Sequence, residues 1–294
     1  MLSIHIRALK ETDMNFLKHL DSQVKWGFSQ KSPEIFLEFS DSAYLAEDSV
    51  LNAPYGIVVT YYYPPSTGWI GFLIVAEKYR GKGIGRTLFS EAVNHLLEIG
   101  CEEILLDAVP DAAILYENFH FSRIERSLRL KILKSTLSKS LISSPRSIRA
   151  RKEHIRDISI FDLSIFGAER KKIFITMVKN PKSEGAVFFQ DRKVVGYGFI
   201  RFSNSSFSIG PLVANNSIIA LDIISKLIQI SAFHCKECER ILIGVTESSS
   251  IPLQFFYHLG FKEYNYSIRM HYGTNQRKNC KPNFIYSITA PAMG

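Results

Sequence analysis

The chain has 294 residues, of which 46% are hydrophobic and 22% are charged, and its formal net charge is +8. This composition excludes a disordered chain, which combines low hydrophobicity with high charge. The four cysteines are too few for a small disulfide-framework protein. The length predicts two domains, each large enough to bury its own core.

The first half alternates strands and helices. Apolar patterns predict strands at residues 3–7, 42–47, 55–63, 68–75 and 103–109, and the run at 68–75 is nearly continuous, as in a buried strand. A helical pattern runs from about Thr12 to about Leu20, another repeats Leu88, Ala92, Leu96 and Ile99, and a short one covers 112–119. Because the early strands are joined by short turns, we expect an α/β (α+β) fold with a mixed, mostly antiparallel twisted sheet flanked by helices.

Several short segments recur about 140 residues later in the chain. Ile6-Arg7-Ala8 recurs as Ile148-Arg149-Ala150, and Trp26-Gly27 is echoed by Phe166-Gly167. Further echoes pair the segment 70–73 with 209–212 and the segment 120–121 with 260–261. Since the matches keep their order, they predict two copies of one fold. We place the first domain at 1–134, a Ser- and Lys-containing linker at 135–147 and the second domain at 148–294.

The positive charge is concentrated near the join between the copies. Residues 1–122 carry 9 basic and 16 acidic side chains, residues 123–156 carry 11 and 2, and residues 157–294 carry 16 and 10. A basic block can attract nucleic acid. This block mixes strand and linker patterns and contains no recognised nucleic-acid-binding motif. We therefore interpret it as an edge strand and a solvated linker, and nucleic acid is not an expected partner.

The most informative segment is a glycine-rich turn between a buried strand and a helix. It reads Arg80-Gly81-Lys82-Gly83-Ile84-Gly85-Arg86. A helix N-terminus offers unpaired N–H groups at the positive end of its dipole, which together bind anions such as phosphate. The spacing fits neither a Walker loop, which ends in Gly-Lys-Ser/Thr, nor the Gly-x-Gly-x-x-Gly of dinucleotide-binding folds.

The Arg-Gly-x-Gly-x-Gly pattern resembles the acetyl-CoA pyrophosphate loop of the GNAT superfamily of N-acetyltransferases. The segment Tyr116-Glu117-Asn118-Phe119-His120-Phe121 resembles a second motif of that family, with His120 where glycine is usual. The resemblance covers essentially the whole chain, as a tandem pair of GNAT-like domains. It implies acetyl-CoA as co-substrate, bound by the following residues: Leu73, Ile74, Val75, Arg80, Gly81, Lys82, Gly83, Ile84, Gly85 and Arg86.

The resemblance also implies catalytic roles. Tyr116 corresponds to the tyrosine that protonates the departing thiolate. Asp107, at a strand end facing the predicted cleft, is a candidate general base, and Glu47 is another. The aromatic residues Trp26, Phe28 and Tyr61 could line the acceptor site, although packing in the core is their default role.

The second copy lacks these features. Ala214 is followed by Asn215-Asn216-Ser217 rather than a glycine-rich loop, and Phe256 and Gly244 stand where the first copy has Tyr116 and Asp107. We therefore expect only the first copy to bind acetyl-CoA. The expected function is acetyl transfer to an amine of a small molecule or a protein, by direct attack. A non-catalytic acyl-CoA-binding sensor is the alternative.

The remaining predictions concern location, metals and partners. No apolar run is long enough to span a bilayer, and the N-terminal residues do not match a signal peptide. With only four cysteines, this predicts a cytoplasmic protein with reduced thiols and no membrane partner. Cys235 and Cys238 form a Cys-x-x-Cys without a second ligand pair, so no metal is expected. The sequence leaves the oligomeric state open.

Overall fold

The computed structural model describes residues 3–23, 37–203, 206–232, 234, 238–273 and 279–294. The described part of its first half includes strands β1 to β6 and helices α1 to α4. The strands are Ile4–Ala8, Ser42–Asp48, Pro54–Tyr63, Thr67–Val75, Glu103–Ala108 and Ser122–Leu133. The helices are α1 (Met14–Gln23), α2 (Ile84–Glu98), α3 (Ala113–Glu117) and α4 (Lys134–Leu137). This confirms the predicted mixed fold.

The second half repeats the pattern. Its strands β7 to β13 are Ile148–Arg149, Ser183–Gln190, Lys193–Phe202, Ser206–Ala214, Arg240–Thr246, Lys262–Gly273 and Ile285–Ser287. Its helices are α5 (Ile155–Phe166), α6 (Lys171–Lys179), α7 (Ser217–Ser231) and α8 (Ser250–His258). Within the described ranges, no helix is both long and apolar enough to cross a membrane.

All thirteen of these strands belong to one continuous sheet. Its order is β1-β2-β3-β4-β5-β12-β6-β11-β10-β9-β8-β7, with β13 paired to β10. Neighbouring strands are antiparallel except for two parallel pairs, β4 with β5 and β10 with β11. The sequence patterns predict a sheet in each copy but do not indicate that the two sheets join.

The join is an exchange of strands. β12, from the second half, lies between β5 and β6, and β6, from the first half, lies between β12 and β11. Both are twelve-residue strands that pair along most of their length, from Lys262↔Lys131 to His271↔Ser122. Each half is therefore completed by a strand of the other.

The hydrophobic cores follow the same division. On one face of the sheet, a single core contains Trp69 and Tyr61 of the first half together with Phe174 and Tyr197 of the second. Separate cores lie beneath α2 and beneath α7. In α2 the buried residues fall on one face at helical spacing: Ile84, Leu88, Phe89, Ala92, Val93 and Leu96.

The predicted linker is not freely solvated. The Asp222 carboxylate on α7 accepts hydrogen bonds from the backbone N–H groups of Arg146 (2.7 Å) and Ser147 (2.8 Å). The Ser225 hydroxyl accepts another from the Ile142 N–H (2.9 Å). These bonds attach the connection to α7, which explains how a Ser- and Lys-rich segment becomes ordered.

The exchange predicts that the halves do not fold separately. Residues 1–134 expressed alone lack both strands that flank β6, so we expect no cooperative thermal unfolding by circular dichroism. As a control, the full chain with a protease site inserted after the exposed Ser144 can be nicked after folding, and its halves should co-elute in gel filtration. Cooperative unfolding of the isolated fragment near the full-chain melting temperature would contradict the exchange.

Candidate active site

Two clefts open where the two parallel strand pairs diverge. β4 pairs with β5 only over Thr67–Trp69, while β4 continues to Val75. We call the opening beyond these pairs the first cleft. β10 pairs with β11 only over Ser206–Ser208 and continues to Ala214, which produces the equivalent second cleft.

A bulge in β4 marks the edge of the first cleft. The register with β3 shifts so that Phe72 and Leu73 oppose a single residue, and Phe72 adopts a left-handed φ of 52°. Both bulge residues line the cleft. Ile74 is buried in the core beside them, and the Val75 carbonyl accepts a hydrogen bond from Arg80 Nε at 3.1 Å.

The predicted anion loop lies between β4 and α2. Gly81 and Gly83 have φ values of 73° and 83°, which a residue with a Cβ rarely adopts. Gly83 is the N-cap of α2 and, having no side chain, makes no capping hydrogen bond. Thr87 is the first residue whose N–H bonds back to the Gly83 carbonyl. The N–H groups of residues 84–86 therefore have no acceptor within the helix.

The basic residues of the loop surround this helix end. The Lys82 ammonium lies 5.6 Å from the centre of the Tyr79 ring, and the Arg86 guanidinium lies 5.6 Å from that of Phe119. A Cβ added at Gly81 or Gly83 would meet no atom within 4 Å, so the loop is open. Open N–H groups beside basic side chains are the features that phosphate-binding helix ends share.

Tyr116 projects from α3 into the first cleft. Its ring packs against Phe89 at 4.7 Å and its side chain is largely buried. Burial raises the pKa of the Tyr116 hydroxyl well above its usual range, so the group stays protonated at neutral pH. The turn after α3 places His120 at φ 65°, the left-handed conformation for which the related motif uses glycine.

The predicted bases are held in ion pairs. The side chain of Asp107 is fully buried and accepts hydrogen bonds from Arg269 Nε at 2.9 Å and Nη2 at 3.2 Å. Burial by itself raises the pKa of Asp107, but Arg269 and Arg129 more than offset this and hold the pKa below its usual value. Glu47 is likewise buried and pairs with Arg7 at 2.9 Å. These environments argue against either carboxylate as a proton acceptor.

Other predicted residues lie apart from the cleft or outside the described chain. Tyr61 is fully buried in the core, and Trp26 and Phe28 fall outside the described residues. Cys235 also falls outside them, whereas Cys238 is disulfide-bonded, so the prediction of reduced thiols is wrong for Cys238. The described residues contain no group of three side chains placed to hold a metal.

Part of the first cleft is built by residues that the sequence patterns did not identify. Arg129 of β6, the segment 264–267 of β12 and the pair Pro291-Ala292 all line it. Most of these belong to the second half and reach the cleft through the strand exchange. The sequence does contain one signal for Arg129. Ser127 and Arg129 recur as Ser267 and Arg269 at the repeat offset of 140.

The second cleft is filled by the chain itself. β13 pairs with β10 at Leu212↔Ser287, and the Ile288 N–H donates to the Gly244 carbonyl of β11 at 2.9 Å. The Ser287 hydroxyl donates to the Ile209 carbonyl at 2.8 Å. β13 thus bridges the two diverging strands.

The helix end beside the second cleft is also occupied. Asn216 caps α7, its side-chain oxygen accepting from the Ile219 N–H at 3.0 Å. Tyr286 of β13 forms a hydrogen bond with the Ser217 hydroxyl at 2.9 Å. An anion would have to compete with these groups, which is the reverse of the open Gly83 end of α2.

Much of the basic block is used within the protein. Arg123 pairs with Glu117 at 2.6 Å, Arg126 pairs with Glu247 at 2.6 Å, and Arg149 pairs with Glu184. Arg129 is largely buried beside Asp107. The excess charge of this segment is therefore not a continuous free surface.

Comparison with known proteins gives matches in both halves. Residues 14–121 match a model described as the acetyltransferase (GNAT) family, and residues 158–286 match one described as an acetyltransferase (GNAT) domain. N-alpha-acetyltransferase 30 of Saccharomyces cerevisiae is 30% identical over 123 residues, which are 38% of this chain and 70% of that protein. The chain spans only 33% to 55% of the length of three other curated relatives.

Solved structures resemble the whole chain. A putative acetyltransferase from Pyrococcus horikoshii has a TM-score of 0.83 at 21% identity, covering 100% of this chain and 97% of its own. A tandem GNAT protein from the clavulanic acid biosynthesis pathway has a TM-score of 0.67 at 12% identity, covering 93% and 100%. At these identities the likeness concerns the fold. Together with the two family matches, it establishes that this chain belongs to the GNAT acetyltransferase family as a tandem-domain member.

Proposed function

We propose that the protein is an N-acetyltransferase that transfers the acetyl group of acetyl-CoA to an amine in the first cleft. The observation that carries this proposal is the contrast between the clefts. The first has an open, uncapped helix end at Gly83 and a hydroxyl at Tyr116, whereas β13 fills the second. The first cleft thus combines an uncapped helix end with a hydroxyl group, whereas the second has a capped helix end and a phenylalanine at the equivalent position.

Different residues of the first cleft bind different parts of acetyl-CoA. The N–H groups of residues 84–86, with Arg80, Lys82 and Arg86, bind the pyrophosphate. The β4 bulge at Phe72 and Leu73 interrupts the pairing with β3, and backbone N–H groups of segment 73–75 hold the thioester. Acetyl-CoA supplies the activated acetyl group.

The chemical step needs no protein nucleophile. The amine nitrogen attacks the thioester carbonyl carbon, the C–N bond forms and the C–S bond breaks. Tyr116 donates its proton to the leaving thiolate, and the proton released by the amine returns to the tyrosinate through water. Asp107 lines the cleft and is assigned a structural role, because Arg269 binds both of its carboxylate oxygens.

The decisive experiment is thiol release from acetyl-CoA over a broad amine panel, with the acetylated product identified by mass spectrometry. Turnover of any amine above the rate of hydrolysis is expected. Tight acetyl-CoA binding without thiol release on any amine would instead favour a non-catalytic acyl-CoA sensor. Absence of acetyl-CoA binding would reject both functions.

Calorimetry should find one acetyl-CoA bound per chain, because β13 and Asn216 occupy the second cleft and its helix end. Gly83→Ala should weaken binding about five- to thirtyfold, since a Cβ at this φ costs roughly 1–2 kcal/mol. Gly100→Ala is the matched control. It has φ 91° in equally open space at the other end of α2 and should leave the affinity unchanged. Two bound molecules per chain, or unchanged affinity in Gly83→Ala, would refute this assignment.

Tyr116→Phe should lower kcat about 10²-fold or more while the acetyl-CoA Kd stays within about twofold, since it removes a proton donor and retains the ring. Tyr257→Phe is the control, because this exposed tyrosine adjoins Phe256, the counterpart of Tyr116. Steady-state kinetics and calorimetry measure the two effects. Equal kcat in Tyr116→Phe and wild type would remove Tyr116 from the mechanism.

A further inference from the structure

The repeat places two arginines symmetrically at the centre of the sheet. Ser127 and Ser267 are paired across β6 and β12, and each is followed two residues later by an arginine, Arg129 or Arg269. Arg269 lies opposite Asp107 on β5, and Arg129 lies opposite Gly244 on β11. The partner position that holds a carboxylate for one arginine thus holds a glycine for the other.

The two guanidinium groups consequently differ in their partners. Arg269 binds Asp107 through two short hydrogen bonds and stacks over Trp69 at 4.9 Å. Arg129 Nη2 reaches the same carboxylate only at 3.5 Å, which is long for a hydrogen bond. Its shorter bonds go to neutral acceptors: the Ser267 hydroxyl (2.8 Å), the Ser127 hydroxyl (2.9 Å) and the Leu128 carbonyl (3.2 Å).

The charge of Arg129 is therefore poorly compensated. Its side chain is only 12% exposed, so water screens it little. Burial and, to a smaller extent, the like charge of Arg269 lower the pKa of Arg129, although Asp107 opposes them. Two guanidinium groups here share one carboxylate, and a buried cation is stabilised chiefly by a paired anion.

An additional anionic partner for Arg129 can approach through the first cleft. The position at Gly244 is closed, because a Cβ there would lie 2.8 Å from the Ile288 side chain. Arg129 instead lines the first cleft together with Tyr116 and Leu73. A ligand in this cleft can therefore contact both Arg129 and Tyr116.

We propose that the acetyl acceptor is an amine that also carries a carboxylate, and that Arg129 binds this carboxylate. The inference rests on the proposed function and specifies its substrate class. The guanidinium fork matches a carboxylate in two-point geometry, which fixes the acceptor in register while its amine faces the thioester. An amine without an anionic group leaves the buried charge of Arg129 uncompensated.

Matched acceptors test the proposal in the full-length protein. Each amino acid of the panel, from glycine and β-alanine to larger side chains, is compared with its amide by thiol release from acetyl-CoA. The acid should have the higher kcat/KM, and Arg129→Met should lower that of the acid about ten- to hundredfold, the range for charge-assisted hydrogen bonds. The amide should change less than about twofold, so the preference collapses.

The controls separate this inference from the proposed function. Arg126→Met removes a cation on the same strand that lies outside the cleft lining and pairs with Glu247, and it should keep the preference. Aminoethyl phosphate is compared with ethanolamine. Turnover without an acid preference, or a preference confined to the phosphate, would overturn the carboxylate assignment while leaving the acetyltransferase intact. Weaker acetyl-CoA binding by Arg129→Met would mean that Arg129 serves the co-substrate, which also overturns it.

A second measurement needs no acceptor. Arg129→Met removes a poorly compensated buried charge and leaves Asp107 with both bonds from Arg269, so the Tm should stay unchanged or rise. Arg269→Met removes the principal partner of Asp107, so the Tm should fall. An equal fall of Tm in both variants would show that Arg129 already has its counter-charge within the protein, and would refute the proposal.

Discussion

Two parallel strands that pair at one end and diverge at the other leave backbone N–H and C=O groups without partners. Buried backbone groups of this kind require hydrogen-bond partners from the protein, from water or from a ligand. Such a pair of diverging strands occurs once in each copy of the fold, and the two copies differ in what lies between the strands. β13 bridges the second cleft, while the first stays open to a ligand. The proposed difference in function between the two copies follows from this structural difference.

The strand exchange also determines which side chains line the first cleft. Because β12 lies beside β5, the second half supplies Arg269 to Asp107 and places Tyr264 at the cleft. The same exchange leaves Arg129 opposite Gly244 rather than a carboxylate. The second copy thus contributes to the first site through its last long strand and segment 291–292, although its own cleft is closed. This accounts for its presence in a chain with one open site.

Local sequence was sufficient to predict the backbone conformation of several residues of the candidate site. The glycines at 81 and 83 require positive φ, and His120 adopts the left-handed turn that its motif indicated. Gly244 and Phe256 were predicted as departures of the second copy, and both lie where the repeat placed them. The mixed sheet followed from strand and helix periods. These features need no knowledge of distant partners.

The exchange and its consequences could not be predicted in this way. The alternation within β6 and β12 is the same whichever strands flank them, so their neighbours are set by long-range pairing. Asp107 was a candidate base because it lies at a strand end facing the predicted cleft. Its ion pair with Arg269 could not be predicted, because the two residues are 162 positions apart. The Ser-x-Arg repeat at 127 and 267 marks the two arginines at the centre of the sheet. It can be interpreted only once β6 and β12 are known to be adjacent.

The most direct test of the central claim is a crystal structure of the full chain with acetyl-CoA. We expect one molecule, in the first cleft between β4 and β5. Its pyrophosphate should lie on the N–H groups of residues 84–86 and its sulfur near Tyr116, with β13 still paired to β10. Acetyl-CoA between β10 and β11, with β13 displaced, would contradict the assignment of a single open cleft.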